Sequence, residues 1–241
     1  MTRYYSVDAI VLKAMDYGEG HRIFTFYSRE EGKLSAIARG IKKQTSKLKG
    51  HLQLGNRCHL LLYRGRNLDT VSQAAATSVY SHIRENPKAY LYSSYLLELL
   101  DSSVPEREPN AELFYLAHEV LTSMAELEPA LAVHYFEIHL LRLLGYEANF
   151  RRCIHCGRPL KEGFLSPRFE GIVGEECGEG YPVSAQALYA LTYYSESQLP
   201  QIGRLKISKE TEKMMARVTR HMLDFHLDRK LRSVDILQDL T

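Results

Sequence analysis

The chain has 241 residues, 45% hydrophobic and 25% charged, which is enough for one large or two small domains with a sizeable core and excludes the disordered, collagen-like and coiled-coil classes. No apolar run approaches the roughly 18 residues of a membrane-spanning helix, and Met1–Ser6 alternates polar and apolar without a signal-peptide core. The net charge of +2 hides an asymmetry, because residues 1–80 hold 13 Lys and Arg against 6 Asp and Glu while the remainder holds 18 against 23. A basic first third suggests an anionic partner.

Residues 4–77 read as β. Val7, Ala9 and Val11 alternate with Ser6, Asp8 and Ile10, and residues 22–27 are rich in aromatic and β-branched side chains. Leu34, Ala36 and Ala38 alternate with Ser35, Ile37 and Arg39, residues 58–63 form a short apolar run, and residues 70–76 close the set. Gly18, Gly20, Gly32, Gly40, Gly50, Gly55 and Gly65 punctuate these runs. About five short strands with glycine turns predict a small barrel or sandwich.

The period changes near residue 79. Pro87 suits the first turn of a helix, and Tyr92, Tyr95, Leu96, Leu99 and Leu100 follow at helical spacing. Asn110 caps a next helix carrying Leu113, Leu116, Val120, Leu121 and Met124. A third carries Val133, Phe136, Leu140, Leu143 and Leu144 and stops at Gly145. Three consecutive helices suggest a bundle. Residues 151–183 break the period with six glycines and three of the four cysteines, an irregular insert. Ser184 then caps a short helix to about Tyr194, and Ser208 a longer one with Met215, Val218, Met222 and Phe225 on one face. The last dozen residues are polar and expected to fray. The reading is an α+β multidomain chain: a β domain over 1–79, a helical domain over 80–150 and 184–241, and an insert over 151–183.

Two stretches could carry chemistry. Residues 39–50 hold Arg39, Lys42, Lys43, Lys47 and Lys49 with no acid. A flexible cationic loop between two strands suits a phosphate backbone, and Arg22, Lys33, Arg64 and Arg66 extend the patch. Tyr4, Tyr5, Tyr17, Phe24, Phe26, Tyr27 and Tyr63 interleave with this charge. Most such rings are core, and one or two are expected to face a ligand on which bases stack. The second stretch is Cys153-Ile154-His155-Cys156-Gly157, followed by Cys177. Four thiolates of a C-x2-C pair would need a cysteine at 174, which is Gly174, so three remain for a zinc ion. Glu175, Glu176, His155 or water are the candidates for a fourth ligand. A ribbon with packed thiols and no metal is the alternative. Cys58 reads as a buried small hydrophobe.

Enzyme signatures fail. Gly18-Glu19-Gly20 lacks the third glycine of a dinucleotide fingerprint at Ile23, and His118-Glu119 meets Thr122 where a zincin needs histidine. His134 and His139 are five apart and diverge around a helix. There is no Walker A sequence and no nucleophile elbow. Glu106 and Glu108 read as solvated loop carboxylates. Arg142, beside Leu140, Leu141 and Leu143, would suit a peptide ending in an acid and an aromatic.

The order and spacing of several short motifs resemble the RecO family of bacterial recombination mediators over nearly the whole chain. They are Ala9-Ile10-Val11-Leu12-Lys13, Tyr17-Gly18-Glu19 with Arg22-Ile23, and Glu31-Gly32-Lys33-Leu34 leading to Ala38-Arg39-Gly40, where the family usually has Ala-Lys-Gly. Leu143-Leu144-Gly145-Tyr146, Cys153-x-x-Cys156-Gly157, Phe169, Gly171 and Cys177 follow. The resemblance implies an N-terminal OB-fold barrel, a helical domain and an inserted zinc ribbon. It also implies a non-enzymatic cytoplasmic, nucleoid-associated protein that binds single- and double-stranded DNA and anneals complementary strands. Family partners are RecR and the acidic C-terminal tail of single-strand-binding protein, and together they help load RecA. Gly174 departs from the family cysteine. The alternatives are an RNA-binding OB protein and a metal-dependent nucleic-acid hydrolase centred on the three cysteines.

Overall fold

The computed structural model describes residues 3–146, 149–227, 231 and 233, so the expectation of a frayed terminus concerns positions largely outside the described residues. The chain forms two compact units, Met1–Thr122 and Ser123–Thr241. Among the described residues no helix is long and apolar enough to cross a membrane.

In the first unit, β1 (Tyr4–Tyr17), β2 (His21–Ser28), β3 (Gly32–Ala38), β4 (Arg57–Tyr63) and β5 (Asp69–Ser78) close into a barrel in the order β1-β2-β3-β5-β4. Closure removes the sandwich alternative. All pairings are antiparallel except β3 with β5, where Ala36 faces Asp69 and Ile37 faces Thr70. This is an OB-like barrel, the five-stranded Greek key whose loops and strand faces bind oligonucleotides in other proteins. The period-2 residues fill its interior: Val7, Ala9 and Val11 from β1, Phe24 and Phe26 from β2, Leu34, Ala36 and Ala38 from β3, Cys58, Leu60 and Leu62 from β4. Ile10 and Leu12 alternate with these yet are also buried, and α2 (Pro87–Ser103) packs against β1.

The short α1 (Ser81–Glu85) was not legible from the sequence. Asn86 caps α2, its side-chain oxygen accepting from the backbone N–H of Lys88 at 2.9 Å, and Pro87 opens the helix. Asn110 caps α3 (Ala111–Ser123), accepting from Leu113 N–H at 3.0 Å. The connection between α2 and α3 is laid on the barrel, where Arg107 N–H donates to Lys33 O at 2.9 Å. Gly32 permits this approach, since it has φ +65° and a Cβ there would lie 2.2 Å from Glu108 O.

In the second unit, α4 (Pro129–Leu143), α5 (Ala185–Glu196) and α6 (Lys209–His226) pack pairwise. Gly145, at φ +90°, ends α4, and Tyr146 N–H donates back to Leu141 O at 2.9 Å. Ser184 and Ser208 cap α5 and α6, and a 3-10 turn spans Leu199–Arg204. Glu137 of α4 is buried and accepts from Thr219 Oγ1 of α6 at 2.8 Å, with His134 Nδ1 at 3.1 Å. The suggested three-helix bundle is redistributed: α2 and α3 belong to the first unit and α4 to the second.

Two expectations are corrected. Residues 151–183 are not wholly irregular, because β6 (Gly163–Ser166), β7 (Gly171–Val173) and β8 (Tyr181–Val183) form an antiparallel sheet in the order β7-β6-β8. Phe225 does not share the buried stripe of α6, and is 54% exposed. Thr219 and Leu223 are buried with Met215, Val218 and Met222. At 100° per residue, they shift the stripe away from position 225.

Candidate nucleic-acid interface and candidate metal centre

Residues 39–56 join β3 to β4 across one end of the barrel. Their apolar members decide how they lie. Ile41 and Leu52 are buried in the barrel core and Leu48 packs against it. Gly40 N–H donates to His21 Nδ1 at 2.9 Å, Ala76 N–H to His51 Nδ1 at 3.2 Å, and Asn56 Nδ2 to His51 O at 3.0 Å. With the bonds of Val11 N–H to Asn56 O and of Gly55 N–H to Val11 O, the segment is tied to β1, β2 and β5, a plug rather than a flexible loop. With Ile41, Leu48 and Leu52 turned inward, Arg39, Lys42, Lys43, Lys47 and Lys49 are left exposed to solvent.

The pairing register shows which predicted cations share this end. Lys42 N–H donates to Gly20 O at 3.3 Å, so the β1–β2 turn abuts the plug. Arg22 faces both Asp16 and Ala38. Asp16 accepts from Arg22 Nε and from Lys42 Nζ, each at 2.8 Å, and these two cations hold its carboxyl below the ordinary value. One exposed carboxylate between two cations leaves a net positive charge, in an arrangement worth little to stability. Arg39, Lys43, Lys47 and Lys49 form no ion pair among the described residues.

Lys13 joins them. It is exposed on β1, two residues beyond Val11, whose N–H and C=O bond to Asn56 and Gly55 at the end of the plug. The sequence reading missed it because an isolated lysine on a strand carries no local signal. Residues 13–22 and 39–56 together contain seven Lys and Arg against two acids.

Lys33, Arg64 and Arg66 lie elsewhere. Arg64 N–H donates to Arg3 O at 2.7 Å, which places the β4–β5 turn beside the start of β1 at Tyr4, twelve residues along the strand from Asp16. Arg64 bonds Glu31 at 3.1 Å and lies 4.6 Å over the Tyr5 ring. Arg107 adds ion pairs to Glu31 at 2.9 Å and to the buried Asp69 at 2.6 Å. Burial pushes the Asp69 carboxyl up, but hydrogen bonds from Tyr5, Arg107 and Gly65 N–H outweigh it and its pKa lies below the ordinary value. Lys33, only 14% exposed at its side chain, donates to Asp101 O at 2.6 Å. Arg66 is exposed in the same turn as Arg64. At this end Lys33, Arg64 and Arg107 are each paired with a carboxylate, whereas at the plug end Arg39, Lys43, Lys47 and Lys49 are not.

The aromatic set is partly buried and partly exposed. Phe24, Phe26 and Tyr27 are core. Tyr17, 53% exposed, is the last residue of β1 and pairs with His21 at the plug end. Tyr4, 54% exposed, makes an edge contact with Tyr63 at the other. Cys58 is buried, and burial pushes its thiol up to about 12.

In the insert, the sulfurs of Cys153, Cys156 and Cys177 all lie within 4.8 Å of one another. Gly157 N–H donates to Cys153 O at 2.8 Å, closing the first turn, and Cys177 N–H donates to Gly174 O at 2.8 Å, closing a second. A zinc–thiolate bond of about 2.3 Å sets sulfurs in a tetrahedral site about 3.8 Å apart, so closing by up to roughly 1 Å suffices, and the three residues fit a metal ion. Arg158 Nε donates to the Cys156 sulfur at 3.4 Å and pulls that thiol down to about 6. Cys177, which donates toward Cys156, is pushed up to about 11. Glu175, Glu176 and His155 are not part of the ligand cluster. Glu176 pairs with Arg158, and the His155 ring packs 4.7 Å from Phe169.

Comparison with known proteins agrees with this architecture. A family model described as Recombination protein O N terminal matches residues 1–80, and one described as Recombination protein O C terminal matches residues 84–235. The chain is 36% identical to DNA repair protein RecO of Pelotomaculum thermopropionicum, covering 98% of this chain and 94% of that one. It is 31% identical to DNA repair protein RecO of Moorella thermoacetica over 100% and 92%, and 30% identical to that of Dehalococcoides mccartyi strain 195 over 98% and 96%.

Proposed function

The chain belongs to the RecO family of DNA repair proteins, and from that premise we propose that its barrel binds single- and double-stranded DNA through the plug end. The observation that carries the reading is the acid-free segment 39–56, whose apolar residues fix it to the barrel core and leave Arg39, Lys42, Lys43, Lys47 and Lys49 in solvent beside the exposed Tyr17. Lys13 and Arg22 extend this surface, and Arg66 gives a smaller contact at the opposite turn. Arg64 and Lys33 are engaged by Glu31 and Asp101 and contribute less.

The mechanism is electrostatic. Two DNA strands repel through their phosphates, and a basic surface that neutralises both lowers that repulsion and lets base pairing proceed. Contacts to phosphate carry no sequence information, so base preference is weak. In this reading the chain is a cytoplasmic, nucleoid-associated mediator rather than an enzyme. With RecR and the tail of single-strand-binding protein as partners, it helps load RecA onto coated strands. Zinc held by Cys153, Cys156 and Cys177 would tie the two turns of the insert together and stabilise its small sheet.

The test is annealing of complementary oligonucleotides coated with single-strand-binding protein, across a salt series. Acceleration at low salt that fades as salt rises is the expected result. No acceleration, or acceleration indifferent to salt, would overturn the proposal. Competition between DNA and RNA oligonucleotides of one sequence separates it from an RNA-binding role.

A further inference from the structure

The first unit carries a groove beside the plug that the phosphate contacts leave unused. Its volume is about 230 Å³. One side is the end of the plug, residues 53–56, and the other is α1 with the first half of α2. The two sides meet at Gly55, where a Cβ would lie 3.7 Å from Leu97 Cδ1 of α2. The buried Leu12, Tyr80, Ile83 and Leu97 form the inner wall, while Leu54 and Tyr90, each 53% exposed, stand at the mouth.

Size, chemistry and charge point to the occupant. A cavity of roughly 150 Å³ admits a benzene ring, so this one has room for one planar heterocycle and not for a base pair. The wall is apolar and aromatic, and Tyr80 adds only its ring, because its hydroxyl is hydrogen-bonded to His118 Nδ1 at 2.6 Å. Asn56, 2% exposed, donates through Nδ2 to His51 O, while its Oδ1 accepts no hydrogen bond among the described residues. An apolar slot with one spare acceptor suits an unstacked base. Arg84 is the one charged residue of the lining, and it is exposed and without an ion pair among the described residues. Leu12 is followed by Lys13, and Gln53 Nε2 donates to Lys49 O, so the groove adjoins the cationic surface of the plug. That continuity favours a polyanion over an apolar peptide.

We infer that this groove receives one unstacked base of a single strand whose phosphates lie on the plug, with the Tyr90 ring stacking on it at the mouth. A duplex keeps its bases in the stack and engages the phosphate contacts alone, so the groove tells the two forms of DNA apart while tolerating any base. The inference rests on the plug-end reading.

The experiment measures fluorescence anisotropy of three labelled oligonucleotides of equal length: a mixed-sequence single strand, its duplex, and an abasic strand with the same phosphates. Tyr90 is exposed on a helix, where alanine is well tolerated. Tyr90→Ala is expected to weaken binding of the single strand by about fivefold or more, the lower end of what one stacked base contributes, and to leave the abasic strand, the duplex and the salt slopes unchanged. Tyr90→Phe, which keeps the ring, is expected to bind as the wild type does. A single-strand affinity that Tyr90→Ala leaves unchanged, or equal losses on all three oligonucleotides, would overturn the inference and leave the plug-end reading standing. Wild-type binding indifferent to salt overturns that reading and this inference with it. Sedimentation without DNA covers the other occupant: a wild-type dimer that Leu54→Ser dissolves would assign the groove to a second copy of the chain and overturn the inference.

Discussion

Replacing Arg39, Lys43, Lys47 and Lys49 together by alanine separates the cations that stand free from those already occupied. All four are exposed and have no ion pair among the described residues, so each substitution should change the free energy of urea unfolding by no more than about 0.5 kcal/mol. Each phosphate neutralised on a single strand contributes about 0.7 to the slope of log affinity against log salt. Four contacts account for about 2.8 of that slope. Between 50 and 200 mM salt, a fourfold change, the wild type should therefore lose about 50-fold more affinity than the variant. Fluorescence anisotropy of a labelled mixed-sequence oligonucleotide, repeated over that range, measures both slopes. A control pair, Lys33→Met with Arg64→Ala, removes two cations that face Asp101 and Glu31 and should change the slope much less. A quadruple variant whose slope matches the wild type, or a control that flattens it equally, would refute the assignment of the plug end.

Three further outcomes test other parts of the structure. Gly32→Ala combines a left-handed φ with a 2.2 Å approach to Glu108 O, and should cost about 2 kcal/mol or more in urea unfolding, while Gly20→Ala, with no heavy atom within 4 Å, should be near neutral. The native pKa of Asp69 is depressed, so its stabilising contribution is complete above the ordinary carboxylate value of about 4 and is lost as pH falls through the lower native value. Acid unfolding of Asp69→Asn should accordingly be flatter than the wild type over that window. Tyr17→Ala should weaken single-strand binding by about 1–3 kcal/mol in the same anisotropy assay if a base stacks there; an unchanged affinity removes Tyr17 from the site.

The barrel interior was legible because alternation is local. Val7, Ala9 and Val11, or Leu34, Ala36 and Ala38, announce a buried face without knowledge of what they pack against. Closure was not, since the β3–β5 pairing joins residues some thirty positions apart and leaves no mark on either segment. The basic segment was visible as charge, yet its rigidity lay in Ile41, Leu48 and Leu52, three apolar residues at spacings of seven and four, a helical period in a segment that forms only turns. Occupancy of the cations divides in the same way. Arg22 against Asp16 follows from a hairpin centred on Gly18–Gly20, and was readable in principle. Lys33 with Asp101 spans separate elements, so only the folded chain reveals that this lysine is taken. Gly174 was the opposite case: the sequence announced a missing ligand, and the fold then showed that the space for it persists.

The side chains that seal the barrel and those that face solvent above it belong to one stretch of eighteen residues. Trimming that stretch would unstopper the barrel as well as discharge it, so a deletion cannot yield a stable, DNA-blind protein. Conversely, a polyanion seated on its outer surface, as proposed, would add its binding free energy to the folded state by mass action, so an oligonucleotide would act as a cork pressed from outside on the end of the barrel that Ile41 and Leu52 close from within.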